Sequence, residues 1–132
     1  MNNSKTCFLI DDDIDDQEIF EIALKSVYPS FLFETAGDGI EALHKLTRDI
    51  GFSPDFIFLD LNMPRMNGKE CLQEIRKISR LSETPIVIYS TSTDPADARE
   101  TAALGADFYL EKQSSISALK TRLNDLFNRL KA

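Results

Sequence analysis

Residues 55–68 read DFIFLDLNMPRMNG: an unbroken apolar run, Phe56 to Leu59, stops on Asp60 and gives way to a loop that closes on Asn67 and Gly68. Consecutive apolar residues without polar alternation suit a strand covered on both faces, since a strand with one wet face alternates with a period of two. Asn67 followed three residues on by Glu70 is a helix-start signal, the Asn side chain being placed to accept from the backbone N–H of the Glu. The stretch therefore reads as buried strand, loop and helix, the unit from which parallel sheets are built.

The unit recurs along the chain. The runs CFLI and IVIY end on Asp11, Asp12 and Asp13 and on Ser90 and Thr91, and a further strand-like run leads to Lys112. The strand candidates are Thr6 to Ile10, Phe31 to Thr35, Asp55 to Leu59, Ile86 to Tyr89 and Asp107 to Leu110. Helical periodicity fills the intervals, most clearly in Ile116, Leu119, Leu123, Leu126, Phe127 and Leu130, which step by three or four and form one apolar stripe. Asp38 with Glu41, and Asp94 followed by Pro95, mark further helix starts. All five prolines fall between elements or in a first turn. No repeat or linker interrupts the pattern, so the expectation is one domain over residues 1–132. Its class is α/β, a flavodoxin-like doubly wound fold with a five-stranded parallel sheet in the order 2-1-3-4-5. In that order the winding reverses between strands 1 and 3, which opens a crevice beyond their carboxyl ends where ligands bind.

Composition narrows the functional classes. The chain has 132 residues, 42% apolar and 28% charged, a normal balance for one globular domain. With 15 Lys and Arg against 22 Asp and Glu the net charge is −7, which counts against nucleic-acid or membrane-surface partners, both polyanionic. The N-terminal sequence has too few apolar residues for a signal peptide or a span, so a soluble, cytoplasmic protein is expected. Cys7 and Cys71 have no metal-site spacing and read as reduced core thiols. His44, among charged neighbours, reads as a solvated helix residue.

Asp11, Asp12, Asp60, Ser90 and Lys112 all lie at carboxyl ends of strands, so segments far apart in sequence converge on one edge of the sheet. Two unit charges ~4 Å apart repel by about 1 kcal/mol in water and about 4 kcal/mol at an effective dielectric near ~20, so a carboxylate cluster must take up protons or bind a cation. All-oxygen ligands with open positions suit Mg²⁺, and the backbone carbonyl of Asn62 adds a neutral ligand. With metal and Lys112 neutralising charge and Ser90 supplying a hydroxyl, Asp60 can act as a nucleophile toward a phosphoryl group. Singly, each residue has a blander reading as a turn or surface residue; the coincidence of the strand ends outweighs it. Asp13, Asp15, Asp16 and Glu18 are fully explained as a cap and helix-dipole complements on a solvated face, and no chemistry is assigned to them.

These residues carry a resemblance. In LIDDD, FIFLDLNMPRMNG, PIVIYST and GADFYLEK the sequence resembles the receiver domains of bacterial two-component response regulators, in particular stand-alone CheY-type members, over essentially the whole chain. The resemblance implies that Asp60 accepts a phosphoryl group from a sensor histidine kinase or phosphotransfer protein. It implies Mg²⁺ bound by Asp60, by Asp12 directly, by Asp11 through water, and by the Asn62 backbone carbonyl. It further implies that Ser90 is the switch hydroxyl, Tyr109 the switch aromatic and Lys112 the phosphoryl contact, with Gly68 following the acceptor loop. Output is then expected by protein contact or phosphorelay, through the face of the fourth helix, fifth strand and fifth helix.

Two details qualify the resemblance. Gln113 stands where the family usually has a cis-linked proline, and a non-proline cis bond costs about 3 to 4 kcal/mol, so a trans bond is expected. Thr91, bulkier than the small residue often found beside the switch hydroxyl, is expected to gate water and slow self-dephosphorylation. Other classes fare worse. A haloacid-dehalogenase-type phosphatase wants an acid where Asn62 stands, and a flavodoxin relative needs a phosphate loop where DDDIDD would repel phosphate. A phosphorylation-independent docking module is the remaining alternative.

Overall fold

The computed structural model describes residues 4–130. The elements run β1 Thr6–Ile10, α1 Ile14–Val27, β2 Leu32–Ala36, α2 Gly39–Arg48, β3 Phe56–Leu59, α3 Gly68–Arg76, a short 3₁₀ turn at Ser79–Leu81, β4 Ile86–Ser90, α4 Pro95–Ala103, β5 Phe108–Glu111 and α5 Ile116–Leu130. The strands form one parallel sheet in the order β2-β1-β3-β4-β5, the order expected from the sequence. Strand bounds move slightly: β2 and β5 lie one residue later than the apolar pattern suggested, and β4 reaches Ser90. In each case the partner strand decides, since Ser90 pairs with Glu111 and Ala36 with Ile10.

Alternation within the strands divides the core in two. Phe8, Ile10, Ile57, Leu59, Ile86 and Ile88 face α2 and α3, where Leu46, Cys71, Leu72 and Ile75 meet them. Cys7, Leu9, Phe56, Phe58, Val87 and Tyr89 face α1 and α5, where Phe20, Leu24, Leu119, Leu123 and Phe127 meet them. This is why CFLI, FIFL and IVIY are apolar throughout: both faces of each are covered. Cys7 and Cys71 are buried free thiols, and His44 is exposed on α2.

The helix starts follow the side-chain signals. Asp38 caps α2 by accepting from Glu41 N–H, and Asn67 and Glu70 form a reciprocal capping box on α3. Asp94 caps α4, with Pro95 in its first turn. α4 is the least embedded of the helices, with Thr101 its one buried residue. Gly68 opens α3 against the chain leaving β3, and a Cβ there would collide with the Asp60 carbonyl oxygen and come within 2.6 Å of Leu61 Cα. No helix among the described residues is long and apolar enough to cross a membrane.

Candidate functional site

Register sets the site. Ile10 pairs with Leu59, so Asp11 and Asp60 leave neighbouring strands at the same level, and Asp60 N–H donates to the Ile10 carbonyl at 2.9 Å. Across β4, Lys112 N–H donates to the Ser90 carbonyl at 2.8 Å, which brings the lysine to the same edge. Asp11, Asp12 and Asp60 each offer a carboxylate oxygen within 4.8 Å of the others. Asp11 is fully buried and Asp60 5% exposed, whereas Asp12 is open to solvent.

The partners of these groups are unevenly distributed. Asp11 Oδ1 accepts from Asp13 N–H at 3.0 Å, while the buried Asp11 Oδ2 has no aligned hydrogen-bond donor and is met by the Lys112 ammonium at 2.9 Å as an ion pair. Asp60 Oδ1 receives a long contact of 3.4 Å from Asn62 N–H. Burial pushes the Asp60 carboxyl up to about 6; the Lys112 charge pulls it down, and the Asp11 and Asp12 charges add to the rise. Burial raises Asp11 as well, against the opposing pull of Asp13 N–H and Lys112. Three carboxylates within 4.8 Å, two of them buried and sharing one lysine, make a ligand set short of positive charge. The all-oxygen character of that set and its open side at Asp12 fit a hard divalent cation.

Lys112 supplies part of the missing charge. Its ammonium lies 2.9 Å from Asp11 Oδ2 and 3.6 Å from Asp60 Oδ2. Burial works to lower its pKa, but hydrogen bonding to Asp16 and the Asp11 and Asp60 charges outweigh it and hold Lys112 above the usual lysine range. The amine also sits 5.3 Å from the centre of the Tyr89 ring. No peptide bond among the described residues is cis, so Gln113 follows Lys112 through a trans bond, as expected.

Ser90 is buried, and its hydroxyl oxygen accepts from Ser92 N–H at 3.1 Å. Tyr109 is half-buried, with its hydroxyl donating to the Ser92 carbonyl at 3.0 Å. Thr91 is exposed beside Ser90, and Asn62 is exposed beyond Asp60. The structure thus brings Asp11, Asp12, Asp60, Ser90 and Lys112 to one edge and sets Tyr109 two hydrogen bonds away from Ser90.

Two features were not legible in the sequence. Asp16, read as a solvated helix residue without a role, instead receives a hydrogen bond from Lys112 at 2.7 Å. Ser92 is a junction: its hydroxyl donates to Asp97 at 2.6 Å, and Asp97 pairs with Lys69 at 2.9 Å, which also holds Glu100. Through these contacts the loop after β4 is tied to α3 and α4.

Comparison with known proteins gives a consistent outcome. Residues 7–124 match the family described as the response regulator receiver domain. A probable transcriptional regulator, ycf27, of Guillardia theta is 31% identical over 129 residues, which is 98% of this chain and 48% of that protein. The chain thus spans about half the length of that curated relative. The crystal structure of a phosphorylated cyanobacterial phytochrome response regulator, RcpA, superposes with a TM-score of 0.85 at 30% identity, covering 94% of this chain and 91% of that one. The Mn(2+)-bound form of the response regulator Rcp1 gives a TM-score of 0.81 at 26% identity, covering 93% and 91%.

Proposed function

The chain belongs to the response regulator receiver family of two-component signalling, and from that premise we propose that it is a phosphoacceptor switch in which Asp60 takes a phosphoryl group from a sensor histidine kinase or phosphotransfer protein. The observation that carries this reading is the meeting of Asp11, Asp12 and Asp60 within 4.8 Å at the edge that also receives Lys112 and Ser90. A phosphorylated relative and a Mn(2+)-bound relative of the same fold support it.

Asp11, Asp12 and Asp60, with the Asn62 backbone carbonyl, would hold Mg²⁺. When bound, the metal supplies positive charge against the phosphoryl oxygens as they approach a cluster of carboxylates. The transfer itself is simple in its bonds. A carboxylate oxygen of Asp60 forms a bond to phosphorus while the bond from phosphorus to the donor atom breaks, and the donor leaves with that electron pair. Asp60 attacks as a carboxylate and so needs no base; the Lys112 charge beside it favours that ionised form. Lys112 neutralises charge on the phosphoryl oxygens, and the Ser90 hydroxyl donates to one of them.

Ser90 is also where the signal would leave the site. To reach a phosphoryl oxygen, its hydroxyl gives up the contact with Ser92 N–H, which disturbs the loop that holds Tyr109 and α4. α4 rests on polar ties and one buried residue, so it can shift at small cost. The face of α4, β5 and α5 is accordingly read as the surface on which a downstream protein distinguishes the two states. In this reading the signal passes on by protein contact or by transfer of the phosphoryl group.

Incubation with acetyl phosphate and Mg²⁺, followed by intact-mass measurement, tests the reading. An adduct of one phosphoryl group that disappears in Asp60→Asn is expected. No adduct, or one that survives that substitution, would leave a docking module independent of phosphorylation.

A further inference from the structure

Asp16 is not needed where a helix start needs an acid. Asp13 already caps α1 by accepting from Asp16 N–H, and Asp15 lies exposed in the first turn. The Asp16 carboxylate instead turns inward, 31% exposed, and takes the hydrogen bond of the Lys112 ammonium.

Three carboxylates surround that ammonium, with Oδ2 atoms at 2.7 Å (Asp16), 2.9 Å (Asp11) and 3.6 Å (Asp60), and of these only Asp16 receives an aligned hydrogen bond. A phosphoryl group on Asp60 adds a dianion to this company, so one acid must give up its share of the lysine. Asp11 is fully buried and fixed by Asp13 N–H, and Asp60 becomes the acyl phosphate. Asp16 is the one that can turn to water, since it stands at the rim in the first turn of α1 and loses little hydration in either position. Lys112 is 10% exposed and lies against the Tyr89 ring, and its ammonium is already within 3.6 Å of Asp60, so a small movement exchanges Asp16 for a group on Asp60.

We propose that Asp16 is a positioning residue for phosphoryl transfer: it holds the Lys112 ammonium while Asp60 is unmodified and is exchanged for the phosphoryl oxygens when Asp60 is modified. The inference rests on the reading of Asp60 as acceptor. The hydrogen bond from Lys112 to Asp16 is then a restraint on modification, because it must open before Lys112 can neutralise the incoming group. The role differs from a general electrostatic one in that it acts only through Lys112.

The test is the initial rate of phosphorylation by acetyl phosphate in Mg²⁺, read by intact mass. For a partly exposed ion pair, Asp16→Asn is expected to be about three- to tenfold faster than the native protein. Asp16→Glu, which keeps the charge and can still reach the lysine, is expected to return the rate to near the native value. In a Lys112→Ala background the same Asp16→Asn change is expected to alter the rate by less than about twofold, since a pair energy vanishes when its partner is gone. An Asp16→Asn protein that is modified no faster than native overturns the proposal. So does one whose gain persists in the Lys112→Ala background, which would mark repulsion of the donor by the Asp16 charge. A native protein that takes up no phosphoryl group overturns the acceptor reading, and this inference with it.

Discussion

Tyr109 donates its hydroxyl to the Ser92 carbonyl at 3.0 Å, and Ser92 returns its own N–H to the Ser90 hydroxyl at 3.1 Å, so a residue of β5 is linked to the end of β4 through one loop residue. Tyr109→Phe removes one neutral hydrogen bond and leaves the ring, with an expected stability cost of about 1 kcal/mol. The effect should be local. Amide exchange is expected to quicken at residues 92–94 and to stay unchanged in β1 and β3; equal protection in the two proteins would show that the tyrosine does not hold the loop.

Gly68→Ala should be far more costly than its chemistry suggests. The added Cβ meets backbone, the Asp60 carbonyl and Leu61 Cα, which can yield only if α3 moves away from the acceptor. A loss on the order of 2 to 4 kcal/mol is expected in denaturant unfolding. Gly37→Ala is the control, because its Cβ would meet only the far end of the Glu41 side chain at 3.3 Å, and it should be close to neutral. Similar losses for the two would refute the packing argument.

The Asp60 carboxyl, pushed up to about 6 by burial, makes stability depend on pH in a defined direction. A raised folded-state pKa means that the folded protein binds the proton more tightly than the unfolded chain, whose carboxyl titrates near ~3.9. The contribution is therefore full below about pH 4 and is lost as pH rises through about 6. Without Mg²⁺, Asp60→Asn should thus be more stable than the native protein at pH 7, and the gap should close toward pH 4. A gap independent of pH between those limits would contradict the shift.

Metal binding should follow the same titration. The chain has no tryptophan, so calorimetry rather than intrinsic fluorescence is the natural readout. Mg²⁺ affinity is expected to fall by several-fold between pH 7.5 and pH 5.5 as Asp60 takes up its proton, and to be lost in Asp60→Asn. Constant affinity over that interval would place the metal elsewhere.

Thr91 stands exposed next to the buried Ser90, and its bulk is proposed to limit water at a modified Asp60. Thr91→Ala is expected to hasten decay of the phosphorylated protein in Mg²⁺ by about three- to tenfold, on the order of 1 kcal/mol in the barrier. Unchanged decay would remove the gate.

Much of this protein is written in local patterns. The doubly covered runs CFLI, FIFL and IVIY announce buried parallel strands, and Asp38, Asn67 and Asp94 announce the helices that follow, because period and capping are decided within a few residues of chain. The acids of the site were visible as a set, since each alone reads as a turn or surface residue and only their coincidence at several strand ends marks them. Tertiary structure alone decided how those charges are shared. Asp16 and its partner Lys112 are 96 positions apart, and nothing local separates Asp16 from the solvated acids beside it. Only the seating of α1 beside α5, next to the chain that leaves β5, turns one carboxylate of that run toward the lysine. The same holds for Ser92, whose bonds to Ser90, Asp97 and Tyr109 depend on where β4, α4 and β5 meet. Periodicity encodes which face of an element is buried; the partner of a polar atom is fixed by the packing of whole elements, which no short stretch of sequence contains.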